Sequence, residues 1–238
     1  MSIPKIFQID LDQTLEQTGC PICNVGIIAE QRHMGFLLHE NANSSHVHNA
    51  LHRSWGFCNL HAWRLLAFEE QSYQDGVKNA MLYEGLLNQV IKATQKAAVH
   101  LGSTIKSSFF SFKPKHMDHN GIFHPSQVCP ICKVVDESQQ FHLNMLVRNL
   151  EDERFLAHYK NSDQICLPHF VAALDMPLDK NLLHKLSGLQ NEKLQRLKED
   201  LTTYIDEHEY SCQQEYTLAE QEAVIKAISF LAGNHRPV

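Results

Sequence analysis

Apolar side chains along this chain recur at intervals of three and four rather than two, the spacing of one face of an α-helix. Ile27, Ile28, Met34, Leu37 and Leu38 follow that rhythm, and the polar stretch NANSSHV at 41–47 breaks it. A short helix is predicted over roughly 46–55, and a third begins near Cys58, carrying Trp63, Leu65, Leu66 and Phe68 up to the polar turn QSYQDG. From Val77 the run Ala80, Met81, Tyr83, Leu87, Val90, Ile91, Ala97, Ala98 and Leu101 describes one long amphipathic helix ending before KSSFFSFKPKH. A counterpart runs through Leu182, Leu186, Leu189, Leu197, Leu201, Tyr204 and Ile205. A last helix over about 217–232 ends at Gly233, the residue expected where a helix terminates in a left-handed turn.

The pattern occurs twice. Cys20, Pro21, Ile22 and Cys23 return as Cys129, Pro130, Ile131 and Cys132, a period of 109 residues. Cys58 and His61 return as Cys166 and His169, after gaps of 35 and 34 residues from the preceding cysteine. Apolar positions agree as well: Met34 and Leu37 align with Leu143 and Leu146, and, after a one-residue slip, Phe57 with Ile165 and Leu66 with Leu174. We read a tandem duplication, with a first repeat at 1–108, a connector at 109–128 containing Pro114, Gly121 and Pro125, and a second repeat at 129–238. The fold class expected is all-α, each half a set of three short helices and a long one pinned by its own CPIC and CxxH residues and packed as one unit.

Those residues suit a metal ion. Two cysteines in CPIC can turn both sulfurs to one side, with the proline fixing the bend, and a cysteine and histidine three apart on a first helical turn share one face. Three thiolates and one imidazole complete a tetrahedron and leave no open position, which is the pattern of a structural zinc site. The expected ligands are Cys20, Cys23, Cys58 and His61 for one ion, and Cys129, Cys132, Cys166 and His169 for the other. Iron–sulfur ligation is the alternative for so sulfur-rich a set. Disulfides fit poorly, because three cysteines per half leave one over.

The stretches CPIC, FLLHENANSSHV, WGFCNLHAWRLL and MLYEGLL, with CPIC and ICLPH in the second half, resemble an uncharacterised bacterial family of unknown function with twin CPxC and CxxH motifs. The likeness covers roughly residues 15–175. In that family a glycine usually stands two residues before the third cysteine; Gly56 matches, whereas Gln164 occupies that place in the second half. The resemblance implies the metal motif and no activity.

The other chemistry-bearing residues have plainer readings. His39, His46, His48 and His52 crowd one loop and helix start, and His116, His119 and His124 crowd the connector, without companion cysteines. His33 and His142 fall ten residues after the second cysteine of each CPIC, as packing or metal-supporting groups. Cys212, with only His208 near it in sequence, reads as an inert thiol, and Glu69 with Glu70 and the run Glu151, Asp152 and Glu153 read as solvated or helix-start charges. Lys and Arg number 21 against 27 Asp and Glu, for a net charge of -6, and no basic run could track a nucleic acid. No stretch is long and apolar enough for a membrane span, and the first residues lack a charged segment leading into an apolar one, so a cytoplasmic protein is expected. No phosphate-binding glycine loop, nucleophile elbow or HExxH is present. The function expected is a zinc-stabilised, non-enzymatic scaffold or interaction protein with an unidentified protein partner. A thiol-based sensor and an enzyme or small-molecule binder using a cleft between the halves are the alternatives.

Overall fold

Gly and Pro number only 10 and 8, so few positions interrupt a helix. The computed structural model describes residues 5–39, 41–107, 125–209 and 218–234, and among the described residues there are ten helices and no strand. They are α1 (Lys5–Leu15), α2 (Pro21–His39), α3 (Ser45–Ser54), α4 (Asn59–Tyr73), α5 (Val77–Ser107), α6 (Pro130–Asn149), α7 (Glu153–Asn161), α8 (Leu167–Leu174), α9 (Lys180–Glu209) and α10 (Leu218–Ala232). The all-α expectation holds, and α2 to α5 recur in kind and order as α6 to α9. Most of the expected connector, together with Cys212, His116, His119 and His124, lies outside the described residues.

Two units emerge, and they interleave along the chain. One comprises residues 1–29 with 135–237, the other 30–134, so α2 and α6 each begin in one unit and end in the other. In the first unit Leu11, Leu15, Ile22, Leu143, Leu146, Leu150, Tyr159, Ile165 and Leu186 are buried together, and α10 packs on α9 and α8. In the second, Met34, Leu37, Leu38, Val47, Leu51, Leu65 and Leu82 are buried, and α3 and α4 lie on α5.

Local chemistry fixes the helix ends. Asp152 caps α7, its Oδ1 accepting from the backbone N–H groups of Arg154 at 3.0 Å and Phe155 at 2.9 Å, as its helix-start reading anticipates. α10 stops at Gly233, whose φ of +84° is the left-handed turn that residue permits.

Glu69 departs from its sequence reading. It is wholly buried rather than solvated, and it closes the turn between α4 and α5. Its Oε1 accepts from Lys78 N at 2.7 Å, and its Oε2 from Asn79 N at 2.9 Å and Asn79 Nδ2 at 2.6 Å. A carboxylate there satisfies N–H groups that the first turn of α5 leaves open and faces the positive end of that helix. Glu70, its neighbour, is exposed. Glu69→Ala should therefore cost about 2 to 4 kcal/mol in urea unfolding, because charged hydrogen bonds and buried donors are lost together. Glu70→Ala should change stability by no more than about 0.5 kcal/mol. Equal effects would remove Glu69 from the capping role.

Candidate metal centres

Each candidate ligand pair stands at a helix start. Pro21 and Pro130 are the first residues of α2 and α6, with Cys20 and Cys129 just before them and Cys23 and Cys132 in the first turn. Proline suits that position, since its missing N–H has no intrahelical partner to lose. Cys58 and Cys166 cap α4 and α8 with nearly the same extended backbone, φ -66° and ψ 163° against φ -68° and ψ 159°. His61 and His169 follow three residues later. All four motifs thus place their two ligands at the cap and the third helical position, one above the other on a face. Four positive helix ends also favour the thiolate form.

The eight residues form two clusters, with exchanged partners. Cys20 and Cys23 meet Cys166 and His169, while Cys129 and Cys132 meet Cys58 and His61. The expectation that each CPIC pairs with the CxxH of its own half is corrected. Helix lengths supply the reason: the 19 residues of α2 carry the chain about 28 Å from its start beside Cys20, and the 10 of α3 can return it by no more than about 15 Å. The 20 residues of α6 and 9 of α7 repeat the mismatch. Each cluster lies within one compact unit.

In the first cluster, His169 Nδ1 is 3.0 Å from Cys166 Sγ, 3.5 Å from Cys20 Sγ and 3.6 Å from Cys23 Sγ, and Cys23 Sγ is 3.7 Å from Cys166 Sγ. In the second, His61 Nδ1 is 3.2 Å from both Cys58 Sγ and Cys132 Sγ and 3.6 Å from Cys129 Sγ, and Cys58 Sγ is 3.7 Å from Cys132 Sγ. A tetrahedral ion with metal–sulfur bonds of about 2.3 Å and metal–nitrogen bonds of about 2.0 Å separates its ligands by about 3.8 Å for two sulfurs and about 3.5 Å for sulfur and nitrogen. The donor set fits. A disulfide requires about 2.05 Å, and all six cysteines are free. Both clusters could hold a metal ion through three thiolates and one imidazole.

Their electrostatics suit a cation. In the first cluster burial pushes the Cys20 thiol up, whereas hydrogen bonds from Cys166 and Cys20 hold Cys23 far below its usual range. Burial opposes a charged His169, but Cys166 and Cys23 outweigh it and raise the ring to about 9. In the second, burial works against the Cys129 thiolate, yet His61 and backbone N–H groups bring it to about 7; burial and the Cys129 charge push Cys132 to about 12. His61 rises to about 10, with burial overcome by Cys129 and Glu30. A metal ion bound there would replace the protons shared within each group.

Residues without a motif complete the surroundings. Asn234, beyond α10, accepts from Cys20 N at 2.8 Å through Oδ1, and its Nδ2 donates to Cys20 O at 3.3 Å and Asn24 Oδ1 at 2.6 Å. Asp163 Oδ2 accepts from Gly19 N at 2.6 Å. Gly19 has φ +83°, and a Cβ there would overlap the Asn234 amide, so the turn entering the first cluster requires glycine. At the second cluster, Glu30 Oε1 lies 3.2 Å from His61 Nε2 and Oε2 lies 2.9 Å from Arg64 Nη1. Sequence reasoning missed all of these; the one available signal was Glu30, a single acid in the otherwise apolar run from Val25 to Leu38 broken only by Gln31, Arg32 and His33.

The glycine difference between the halves also resolves. α3 ends through two left-handed residues, Trp55 with φ 56° and Gly56 with φ 95°. α7 ends in extended Ser162, with φ -77°, and Lys193 Nζ donates to Tyr159 O at 2.5 Å and Ser162 O at 2.6 Å. Gln164 needs no positive φ. Among the described residues the other histidines stay out of the clusters: His33 stacks on Phe36 with centroids 5.7 Å apart, buried His142 holds Ser138 O through Nδ1 at 2.7 Å, and His48 Nε2 donates to Ala42 O at 2.8 Å. A cavity of about 520 Å³, lined by His52, Trp55, Lys92 and Lys96 among others, includes no cluster residue.

The exchange has a direct test in paired substitutions, read as metal per chain. Cys23→Ser with Cys166→Ser disrupts one cluster and should leave about one ion. Cys23→Ser with Cys58→Ser disrupts both and should leave none. Within-half pairing demands the opposite pattern.

No curated protein and no solved structure matches the chain. A family model described as a family of unknown function, DUF6062, matches residues 3–237. The paired Cys–His clusters are thus carried by a chain that belongs to the DUF6062 family of unknown function.

Proposed function

We propose that this protein is a non-enzymatic scaffold stabilised by two structural zinc ions, the first held by Cys20, Cys23, Cys166 and His169 and the second by Cys58, His61, Cys129 and Cys132. The observation that carries the reading is the spacing of each set of four donor atoms, all within 4.8 Å of one another. Three sulfurs and one nitrogen favour zinc, and with all four positions supplied by protein no place is left for a substrate or an activated water. Each ion would join two helix starts from distant segments, residues 20–23 with 166–169 and residues 58–61 with 129–132, and so close a loop of 143 residues between Cys23 and Cys166 and one of 74 between Cys58 and Cys132 in the unfolded chain. Structural zinc binds with roughly 10 to 16 kcal/mol in small peptides, comparable to the net stability of a whole domain.

A thiol sensor would use the same eight residues. At 3.7 Å the Cys23–Cys166 and Cys58–Cys132 sulfurs stand at the separation of shared coordination, so a metal-bound form is the starting point in that reading too. The surfaces that would recruit a protein partner, and a cytoplasmic setting, belong to the scaffold reading as proposals.

Protein purified without an affinity tag or added metal should contain about two zinc ions per chain and absorb no visible light. Iron with acid-labile sulfide would replace zinc by clusters, and metal-free, fully folded protein would end the scaffold reading. His61→Ala or His169→Ala should remove about one ion and lower the melting temperature. Replacing His46 and His48 together should leave the metal content unchanged, and the reverse pattern would overturn the ligand assignment.

A further inference from the structure

We propose that Glu30 is a positioning residue for the second metal centre and, with Arg64, makes that centre the slower of the two to release its ion. The inference rests on the two-ion reading above and goes beyond it, because it distinguishes centres that share one ligand set.

His61 turns Nδ1 toward three sulfurs, at 3.2 to 3.6 Å, so with Nδ1 bound to an ion the one ring proton would reside on Nε2. Nε2 faces Glu30 Oε1 at 3.2 Å. A carboxylate in that place selects the tautomer, stops the ring from rotating and strengthens the imidazole as a donor to metal. Glu30 is 0% exposed, and an isolated buried carboxylate would be costly. Arg64, one turn beyond His61 on α4, offsets its charge at 2.9 Å. The buried oxygens of Glu30, His61 Nε2 and Arg64 Nη1 make no regular hydrogen bond, so they meet one another as ion-pair contacts. Glu30 serves no helix cap, so its contacts are spent on the ligand histidine and on the arginine that balances it.

The first centre lacks this arrangement. Seven residues after the second cysteine, where the first half has Glu30, the second half has Gln139, whose Nε2 donates to Ile22 O at 3.4 Å. Three residues after the ligand histidine, Arg64 is matched by Ala172. His169 therefore has neither the acid nor the counter-cation that accompanies His61. Asn234 and Asp163 hold the backbone beside Cys20 instead, fixing the cysteines rather than the imidazole.

The test is zinc release from the full chain to an excess of a chelating dye. Wild type should release its two ions in two phases; Cys23→Ser should retain only the slow phase and Cys132→Ser only the fast one. Glu30→Gln with Arg64→Ala gives the second centre the residues of the first at both positions. It should accelerate the slow phase by roughly 10- to 100-fold, the usual effect of removing such a partner. The fast phase should not move, and in the same molecule it reports an intact fold. Cobalt loaded into the second centre, in the Cys23→Ser background, adds a readout that stability alone does not alter: the visible bands should shift with the double substitution. Glu30→Gln alone, which preserves volume, should shift them in the same direction. A slow phase that belongs to the first centre, or a slow phase and cobalt bands untouched by both variants, would overturn the proposal. Wild-type protein that takes up no zinc or cobalt would overturn the two-ion reading along with it.

Discussion

Three cysteine sulfurs within bonding reach of a single ion, mostly buried, are stable together as thiolates only if a cation joins them. Every other feature of the two clusters follows from that constraint. Helix starts converge there because their positive ends tolerate the anions. The histidines rise well above their ordinary range because the sulfurs favour the imidazolium when protons supply the positive charge. A divalent ion bonded to all four donors would replace those protons and bind the chain segments that provide them.

Exchange of partners would give two occupied centres an architectural role that short zinc motifs lack. The ligands of one are separated by 143 residues between Cys23 and Cys166, and those of the other by 74 between Cys58 and Cys132. Each ion would close a long excursion of chain and tie together segments belonging to different sequence halves. The interleaved units express the same arrangement: α2 starts at one cluster and ends in the unit that contains the other, and α6 does so in reverse. Metal binding would in this way be inseparable from long-range folding, which suits a scaffold and explains why no open coordination position is required.

Much of this was legible from residue order. Helical periodicity located α2 to α5, α9 and α10 but not α1, the repeat implied α6 to α8, the doubled CPIC and CxxH located all eight candidate ligands, and Gly233 located the end of α10. Spacing within a motif reports which side chains share a helix face, since three residues make nearly one turn. It carries no information on which pair of helix starts will meet, so the partner assignment went to the nearer motif in sequence. Glu69 was read as solvated because a carboxylate next to another carboxylate at a helix end is usually so; its burial depends on the tight return from α4 to α5. Glu30 and Asn234 were silent for a similar reason. Their partners, His61 and Cys20, lie 31 and 214 residues away, and neither belongs to a local pattern.

The central claim is coordination by three sulfurs and one nitrogen at each of two closed centres. X-ray absorption at the zinc edge of the protein as purified measures that shell directly. The account predicts an average of three sulfur neighbours at about 2.3 Å and one nitrogen at about 2.0 Å, with no metal–metal scattering. A shell dominated by oxygen or nitrogen, or a short metal–metal vector, would contradict it.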